Sequence, residues 1–168
     1  TDSTHTGCEF RYTPIAARTF FYNPPLCRST TSLMPHTQYT QLDDALWPLM
    51  NKFYRRHQSS IKAVRDAQLW VGKRDEIVAG LCLRPMAEGL WLTGLLVDPA
   101  CRGQGVAAAL MAHALATVTQ PVWLLCHPDL REFYQGNGFS AGPQLPYALA
   151  ERLLRYSRSK PMIAMGRG

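Results

Sequence analysis

The chain has 168 residues, of which 46% are hydrophobic and 18% charged; this is enough apolar material for one domain with a sizeable core and excludes a disordered protein. The apolar runs are too short to cross a bilayer, so the sequence predicts no membrane partner. The net charge of +6 favours an anionic partner, a phosphorylated cofactor or a nucleic acid, without choosing between them.

Residues 1–36 differ in composition from the rest of the chain. They are rich in Thr, Ser and Pro, and no acidic residue occurs between residues 10 and 42. This composition resembles that of an organellar transit peptide, but an amphipathic helical stripe is missing. We therefore predict a flexible extension over residues 1–36, followed by a single domain over residues 37–168.

The first half of the domain shows one helical pattern and three strand patterns. Apolar residues recur at helical spacing over residues 42–53, and Pro48 predicts a kink or a split within that helix. The strand patterns predict an antiparallel meander. They cover residues 69–71, 77–83 and 91–97.

The second half alternates helices and strands. A glycine-rich loop leads into a helix whose apolar face runs from Val106 to Val118, with Pro121 as its stop. The apolar strand at 122–126 follows a helix, so it should lie parallel to the strand at 91–97. Two more helices, at 128–136 and 146–156, precede a final strand at 162–165.

The five cysteines are an odd number without a Cys-x-x-Cys pair, so we predict neither a disulfide framework nor a metal site. Cys82 and Cys126 lie within apolar runs and should be buried core thiols. The chain does not open with a signal-peptide pattern. We therefore expect a reducing, cytoplasmic setting.

Residues 97–107, Val-Asp-Pro-Ala-Cys-Arg-Gly-Gln-Gly-Val-Ala, carry the strongest functional signal. A loop of small residues that opens a helix exposes backbone N–H groups, which bind a diphosphate together with the positive end of the helix dipole. Gly103 and Gly105 let the backbone approach such an anion. The Gly-Lys-Ser/Thr ending of a P-loop is absent, and Ala108 replaces the third glycine of a dinucleotide fingerprint. A turn without a ligand remains the alternative.

This loop resembles the signature Gln/Arg-x-x-Gly-x-Gly/Ala of the GNAT superfamily of acetyl-CoA-dependent N-acetyltransferases, at Arg102, Gly105 and Ala107. A later segment is similar to the Phe-Tyr-x-x-x-Gly-Phe pattern of the same family. Its matching residues are Phe133, Tyr134, Gly138 and Phe139. The resemblance implies an α/β (α+β) fold, with a mixed, mostly antiparallel sheet flanked by helices and a parallel strand pair at the cofactor cleft. It also implies transfer of an acetyl group from acetyl-CoA to a primary amine by direct attack in a ternary complex.

The resemblance assigns acetyl-CoA binding to the loop, to the strand before it and to the segment around Tyr134. In the family, the loop amides bind the pyrophosphate, and the strand, splayed by a bulge that we expect at Gly94, pairs with the pantetheine arm. The implied cofactor-binding residues are Leu95, Leu96, Val97, Arg102, Gly103, Gln104, Gly105, Val106, Ala107, Ala108, His127 and Tyr134.

Tyr134 is the implied general acid, which protonates the departing thiolate; a buried structural tyrosine is the alternative. His127 stands where the family usually has asparagine. It is expected to bind near the pantetheine, to serve as a base, or only to cap the following helix. Cys101, beside Arg102 at a helix start, is an alternative nucleophile, although the resemblance places it at the phosphate end of the cofactor.

The general base and the acceptor amine are not identified by the sequence. No acidic residue lies within residues 91–97, and neither Glu88 nor Glu132 matches the family position. An acetyl-CoA-binding regulatory module without turnover is therefore an alternative. A binder or modifier of RNA is another, because basic residues cluster near the end of the chain. They are Arg152, Arg155, Arg158 and Lys160. A homodimer is compatible with the resemblance, but no interface is indicated.

Overall fold

A computed structural model describes residues 36–168, in which seven strands form one sheet in the order β1-β2-β3-β4-β5-β7-β6. Every neighbouring pair is antiparallel except β4 and β5, which are parallel. The strands are β1 (Gln38–Leu42), β2 (Gln68–Lys73), β3 (Ile77–Met86), β4 (Gly89–Val97), β5 (Val122–Cys126), β6 (Ser140–Ala141) and β7 (Ile163–Arg167). The predicted fold class is confirmed. The predicted extension over residues 1–36 lies almost entirely outside the described residues.

Four α-helices accompany the sheet, and three of them are preceded directly or closely by a short 3₁₀ turn. They are α1 (Trp47–Arg56), α2 (Val106–Leu115), α3 (Arg131–Gly136) and α4 (Tyr147–Ser157). Within this part of the chain, no helix combines the length and the apolar character needed to cross a membrane.

Two opposite faces of the sheet are covered by different helices. On one face, α2 and Tyr134 of α3 pack with Leu81 and Leu124 in the largest hydrophobic cluster. On the other face, α1 packs Met50, Phe53 and Tyr54 against β2 and β3, and Leu149 of α4 lies against Trp91 and Trp123. Because strand side chains alternate between the faces, β4 contributes to both layers.

The structure confirms one detail of the predicted elements, the split at Pro48, and corrects two others. Pro48 lies in the first turn of α1, where its missing N–H costs nothing, so the predicted helix is split into a 3₁₀ turn at Asp44–Leu46 and α1. The predictions missed β1 and β6, since both are edge-region strands with mostly exposed side chains and no apolar alternation. The helix from Val106 ends at Leu115 rather than near Val118.

Candidate active site

The strands β4 and β5 pair only at their first residues and then separate. Their parallel ladder consists of Leu90 opposite Val122 and Trp91 opposite Trp123. Beyond Trp91, β4 continues to Val97 beside β3, and no strand within residues 36–168 pairs with its other side. Leu95 lines the open cleft that results, where a ligand can pair with the free side of β4 as a strand would.

A β-bulge in β4 accompanies this separation. Gly80 lies opposite Leu96 and Cys82 opposite Thr93, so Leu81 of β3 faces two residues of β4, Gly94 and Leu95. Gly94 has φ +70°, a left-handed conformation that glycine adopts without steric cost. The predicted position of the distortion is confirmed.

Tyr54 of α1 holds the bulge from the opposite face of the sheet. Its fully buried hydroxyl donates a hydrogen bond to the carbonyl oxygen of Gly94 (2.7 Å) and lies 3.5 Å from the sulfur of Cys82. A Cβ at Gly94 would approach that hydroxyl to 2.6 Å. Burial, and then the neighbouring Cys82, raise the pKa of Tyr54 well above its ordinary range, so the hydroxyl stays protonated as a donor.

The loop between β4 and α2 has the geometry of an anion-binding helix start. Gly103 and Gly105 adopt φ +73° and +75°, and a Cβ at either position would meet no atom within 4 Å. Gly105 is the N-cap of α2 and offers no side chain, so the first-turn N–H groups of Val106, Ala107 and Ala108 receive no side-chain cap. These donors beside open space fit a diphosphate.

Two cationic side chains lie at this loop. Arg102 is exposed and donates through Nε to the carbonyl oxygen of Val97 (3.2 Å), so this carbonyl already has a partner. Arg74, from the turn between β2 and β3, donates through Nη2 to Gln104 (2.8 Å) and contacts the sulfur of Cys101 at 3.5 Å. Arg74 was not predicted from the sequence, because the contacts that place Arg74 at the loop are with residues about 30 positions away.

Tyr134 lies on α3 at the wall of the cleft between β4 and β5. Its ring is 7% exposed and packs edge-on against Phe133 and Phe139, with centroids 5.0 and 5.9 Å away. Burial, and then the neighbouring Cys126, raise the pKa of Tyr134 to about 12. The hydroxyl is therefore protonated at neutral pH, which is the state required of a hydrogen-bond donor or general acid.

His127 lies just after β5 and caps the 3₁₀ turn that leads into α3. Its Nδ1 accepts a hydrogen bond from the backbone N–H of Asp129 (3.3 Å), and it lies 3.1 Å from the carboxylate of Asp129. His127 is not among the residues that line the cleft. Of the three roles considered for His127, the geometry favours the cap.

The other candidates for nucleophile or base also lie outside the cleft. Cys101 is 6% exposed and contacts Arg74 beside the glycine loop. Glu88 and Glu132 are exposed and do not contribute to the lining. The buried thiols predicted at Cys82 and Cys126 are confirmed.

The cleft has a volume of about 550 Å³ and brings together β4, β5, α3, α4 and the segment after α1. Tyr134 and Leu95 are the sequence-predicted site residues in its lining. Four cationic side chains also lie in its wall, and the sequence did not indicate that they come together. Arg152 and Lys160 belong to the basic cluster noted above, whereas the other two were not predicted. The four are Lys62, Arg84, Arg152 and Lys160.

Tyr156 of α4 also lines the cleft, close to these cations. Burial acts to raise the pKa of Tyr156, but the hydrogen bonds and charges of Arg152 and Arg155 outweigh it, so the pKa lies below its ordinary value. The guanidinium of Arg155 and the ammonium of Lys160 lie 5.6 and 6.0 Å from the ring centre. Two of the basic residues predicted as an RNA-binding cluster are thus partly engaged with an aromatic ring.

Three features occur together here: a bulged strand, a parallel strand pair that separates, and a helix start without a side-chain cap. They are the features expected of an acyltransferase that uses an acyl-coenzyme A. Residues 65–141 match the family model for the acetyltransferase (GNAT) domain. This segment therefore belongs to the GNAT superfamily of acetyltransferases. Comparison with curated protein sequences gave no match.

Solved structures share this fold at low sequence identity. ElaA from Escherichia coli is 21% identical with a TM-score of 0.58, and the alignment covers 78% of this chain and 99% of ElaA. An acyl-CoA N-acyltransferase from Pseudomonas aeruginosa is 20% identical with a TM-score of 0.58, over 79% of this chain and 100% of that protein. N-acetylglutamate synthase from Neisseria gonorrhoeae, complexed with coenzyme A and N-acetyl-glutamate, is 14% identical with a TM-score of 0.59, over 79% of this chain and 35% of that protein.

Proposed function

We propose that this chain transfers the acetyl group of acetyl-CoA to a primary amine by direct attack in the cleft between β4 and β5. The observation that carries the proposal is the protonated hydroxyl of Tyr134 in the same cleft as the free side of the bulged strand β4. The relative that was solved with coenzyme A and N-acetyl-glutamate holds a product of the same chemical type, which supports the choice of an amine as acceptor.

Acetyl-CoA supplies an activated acyl group on a good leaving thiol. The backbone N–H groups at the start of α2, with Arg102 and Arg74 beside them, would bind its diphosphate. The free edge of β4 at Leu95, together with the N–H of Val97, would orient the pantetheine arm beside the cleft. Positioning of two reactants in this way supplies much of the rate in an acyl transfer without a covalent enzyme intermediate.

Tyr134 acts mainly by donating a hydrogen bond to the sulfur as negative charge develops there. An ordinary thiol has a pKa of about 8.5, whereas the pKa of Tyr134 is about 12. Complete proton transfer from the tyrosine to the thiolate would thus be uphill by about 4.8 kcal/mol. The proton that finally resides on the thiol therefore comes from the attacking amine, and Tyr134 ends the reaction protonated.

The acceptor amine must be neutral to attack. Within residues 36–168, no Asp, Glu or His side chain lines the cleft, so this part of the chain offers no obvious general base there. The four cations of the wall disfavour an ammonium ion and lower the pKa of a bound amine. Because these cations favour the neutral form of the bound amine, they take over part of the role of a general base.

Calorimetric titration with acetyl-CoA, followed by measurement of free thiol release with a panel of amines, tests the proposal. We expect saturable binding and amine-dependent thiol release. The lack of a base in the cleft favours one rival, a regulatory module that binds acetyl-CoA without turnover. Binding without thiol release for any amine would support that rival, whereas no binding would mean that the loop before α2 is only a turn.

A further inference from the structure

The wall of the cleft between β4 and β5 carries more positive charge than the proposed transfer needs. Four cationic side chains and no carboxylate from residues 36–168 line it. Arg84 and Arg152 are half-buried, and Lys62 and Lys160 are exposed. The four come from three separate regions of the chain, so their convergence is a property of the fold.

The two arginines lie over one aromatic ring. The guanidinium carbons of Arg84 and Arg152 lie 5.2 and 4.9 Å from the ring centre of Trp91. Neither guanidinium has a carboxylate within 4.0 Å among the described residues. A guanidinium that lies over a ring still has N–H groups along its edge for a planar anion.

A half-buried cation without a counter-ion is costly, and an anionic ligand removes that cost. Carboxylate and phosphate groups are the anions that match the paired N–H donors of arginine. In the proposed function, the phosphates of the cofactor bind at the start of α2. The loop residues that precede α2 do not line this wall. The wall cations therefore have no anion assigned to them.

We propose that the cleft selects a small primary amine that carries a carboxylate or phosphate group, with Arg84 and Arg152 binding that anion. The proposal rests on the proposed function and specifies its acceptor. The volume of about 550 Å³ must hold the thioester end of acetyl-CoA as well, so the acceptor has the size of an amino acid rather than of a folded protein or an RNA. Polyamines and other multiply charged cations are repelled by the same wall.

The test compares amines that differ only in the anionic group. The panel contains the amino acids with their amides, phosphoethanolamine with ethanolamine, and spermidine as a polycation. We expect kcat/KM, measured by thiol release, to be at least about tenfold higher for the anionic member of a productive pair. This preference should shrink as the salt concentration rises, because the two lysines are exposed and screened. The pair with the larger preference distinguishes a carboxylate from a phosphate.

Variants assign the preference to the two arginines. Arg84→Gln and Arg152→Gln should each lower kcat/KM for the anionic amine by about tenfold or more, mostly through KM, and should lower kcat/KM for the neutral partner amine much less. Arg152→Lys should restore part of the preference, since it restores the charge without the fork. Arg158→Gln, at the exposed end of α4 and outside the cleft lining, is the matched control and should behave as the unsubstituted protein.

The proposal and the function on which it rests fail in different ways. If acetyl-CoA binds and thiol is released, but neutral amines or spermidine are preferred, the acceptor class is wrong and the acetyl transfer stands. An unchanged preference in both glutamine variants would likewise overturn the assignment to Arg84 and Arg152. If acetyl-CoA does not bind at all, both proposals are wrong.

Discussion

At the scale of single residues, the proposed chemistry depends on the hydroxyl of Tyr134, a buried residue at the wall of the cleft. Tyr134→Phe keeps the ring that packs between Phe133 and Phe139 and removes only the donor. We expect kcat to fall by about 10- to 100-fold, because hydrogen bonding to the leaving sulfur is lost, while affinity for acetyl-CoA stays within about twofold. Steady-state kinetics and calorimetry measure the two quantities.

Tyr147→Phe is a control for the tyrosine substitution. Tyr147 is 78% exposed and donates to Glu151 on the surface of α4, so its replacement should leave kcat unchanged. Equal kcat for Tyr134→Phe and the unsubstituted protein would remove Tyr134 from the mechanism.

Residues with a local signature were predictable from the sequence, and residues defined by long-range contacts were not. Gly94, Gly105 and Tyr134 belong to short patterns in which the neighbours along the chain indicate the role. In the sequence, Tyr54 is one more residue on the apolar face of a helix. Its role appears only in the fold, which brings its hydroxyl to Gly94, 40 positions away. Arg84 similarly resembles any basic residue at the end of a strand until α4 brings Arg152 to the same indole ring.

At the scale of elements, the loop before α2 gives a sharp test of cofactor binding. Gly105→Trp should abolish measurable acetyl-CoA binding, because the indole would occupy the open space in front of the first-turn N–H groups of α2. The substitution also introduces strain, since residue 105 has φ +75°. Gly142→Trp is a matched control: residue 142 has φ +69° and open space around its Cβ, but lies beyond β6, away from the loop.

Calorimetry on the two tryptophan variants separates the effect of the loop from that of strain. The Gly142→Trp variant should be destabilised to a similar degree and still bind acetyl-CoA. Normal binding by a folded Gly105→Trp variant would show that the diphosphate binds elsewhere.

The bulge of β4 and the helix α1 form a second testable unit. Tyr54→Phe should lower the free energy of unfolding by about 1–3 kcal/mol, because the buried carbonyl of Gly94 loses its hydrogen bond. Gly94→Ala should also destabilise the protein, since its Cβ would approach the Tyr54 hydroxyl to 2.6 Å and φ is +70°.

A double-mutant cycle measures whether the two residues act together. In the Tyr54→Phe background the oxygen that clashes with the new Cβ is gone, so Gly94→Ala should cost less there than in the unsubstituted protein. Urea unfolding of the four proteins supplies the values. Additive costs would mean that backbone strain or the approach of the new Cβ to Ile61 (3.1 Å), and not the contact with the Tyr54 hydroxyl, makes glycine necessary at position 94.

Strands in the middle of the sheet were easier to predict than strands near its edges. β3, β4 and β5 are buried on one or both faces and therefore read as apolar runs bounded by turn residues. β1 buries only Leu42 and β6 has two exposed residues, so neither leaves a hydrophobic pattern in the sequence. The cleft exists because only the first residues of β4 and β5 pair with each other. The number of paired residues cannot be read from either strand alone.

At the scale of the whole molecule, buried tyrosine hydroxyls and cysteine thiols should make the free energy of unfolding fall at alkaline pH. Burial raises the pKa of Tyr54, of Tyr134, and of the thiols of Cys82 and Cys126 above their ordinary values, which are 10.0 for tyrosine and 9.0 for cysteine. Above these values the unfolded chain loses protons that the folded chain retains, so rising pH favours unfolding. The stabilisation is complete below about pH 9 and is lost progressively as the pH rises towards the folded-state values.

The free energy of unfolding in urea should therefore be nearly constant from about pH 7 to 8.5 and should fall steeply between about pH 9 and 11. Tyr134 alone, with its pKa raised from 10.0 to about 12 in the folded protein, accounts for about 1.4 kcal/mol of that loss at pH 11, and for about 2.7 kcal/mol only above pH 12. Tyr134→Phe removes this contribution, so its stability curve should fall less steeply than that of the unsubstituted protein above pH 10. Parallel curves for the two proteins would mean that the Tyr134 hydroxyl ionises with the same pKa in the folded and the unfolded chain, so that burial does not raise its pKa.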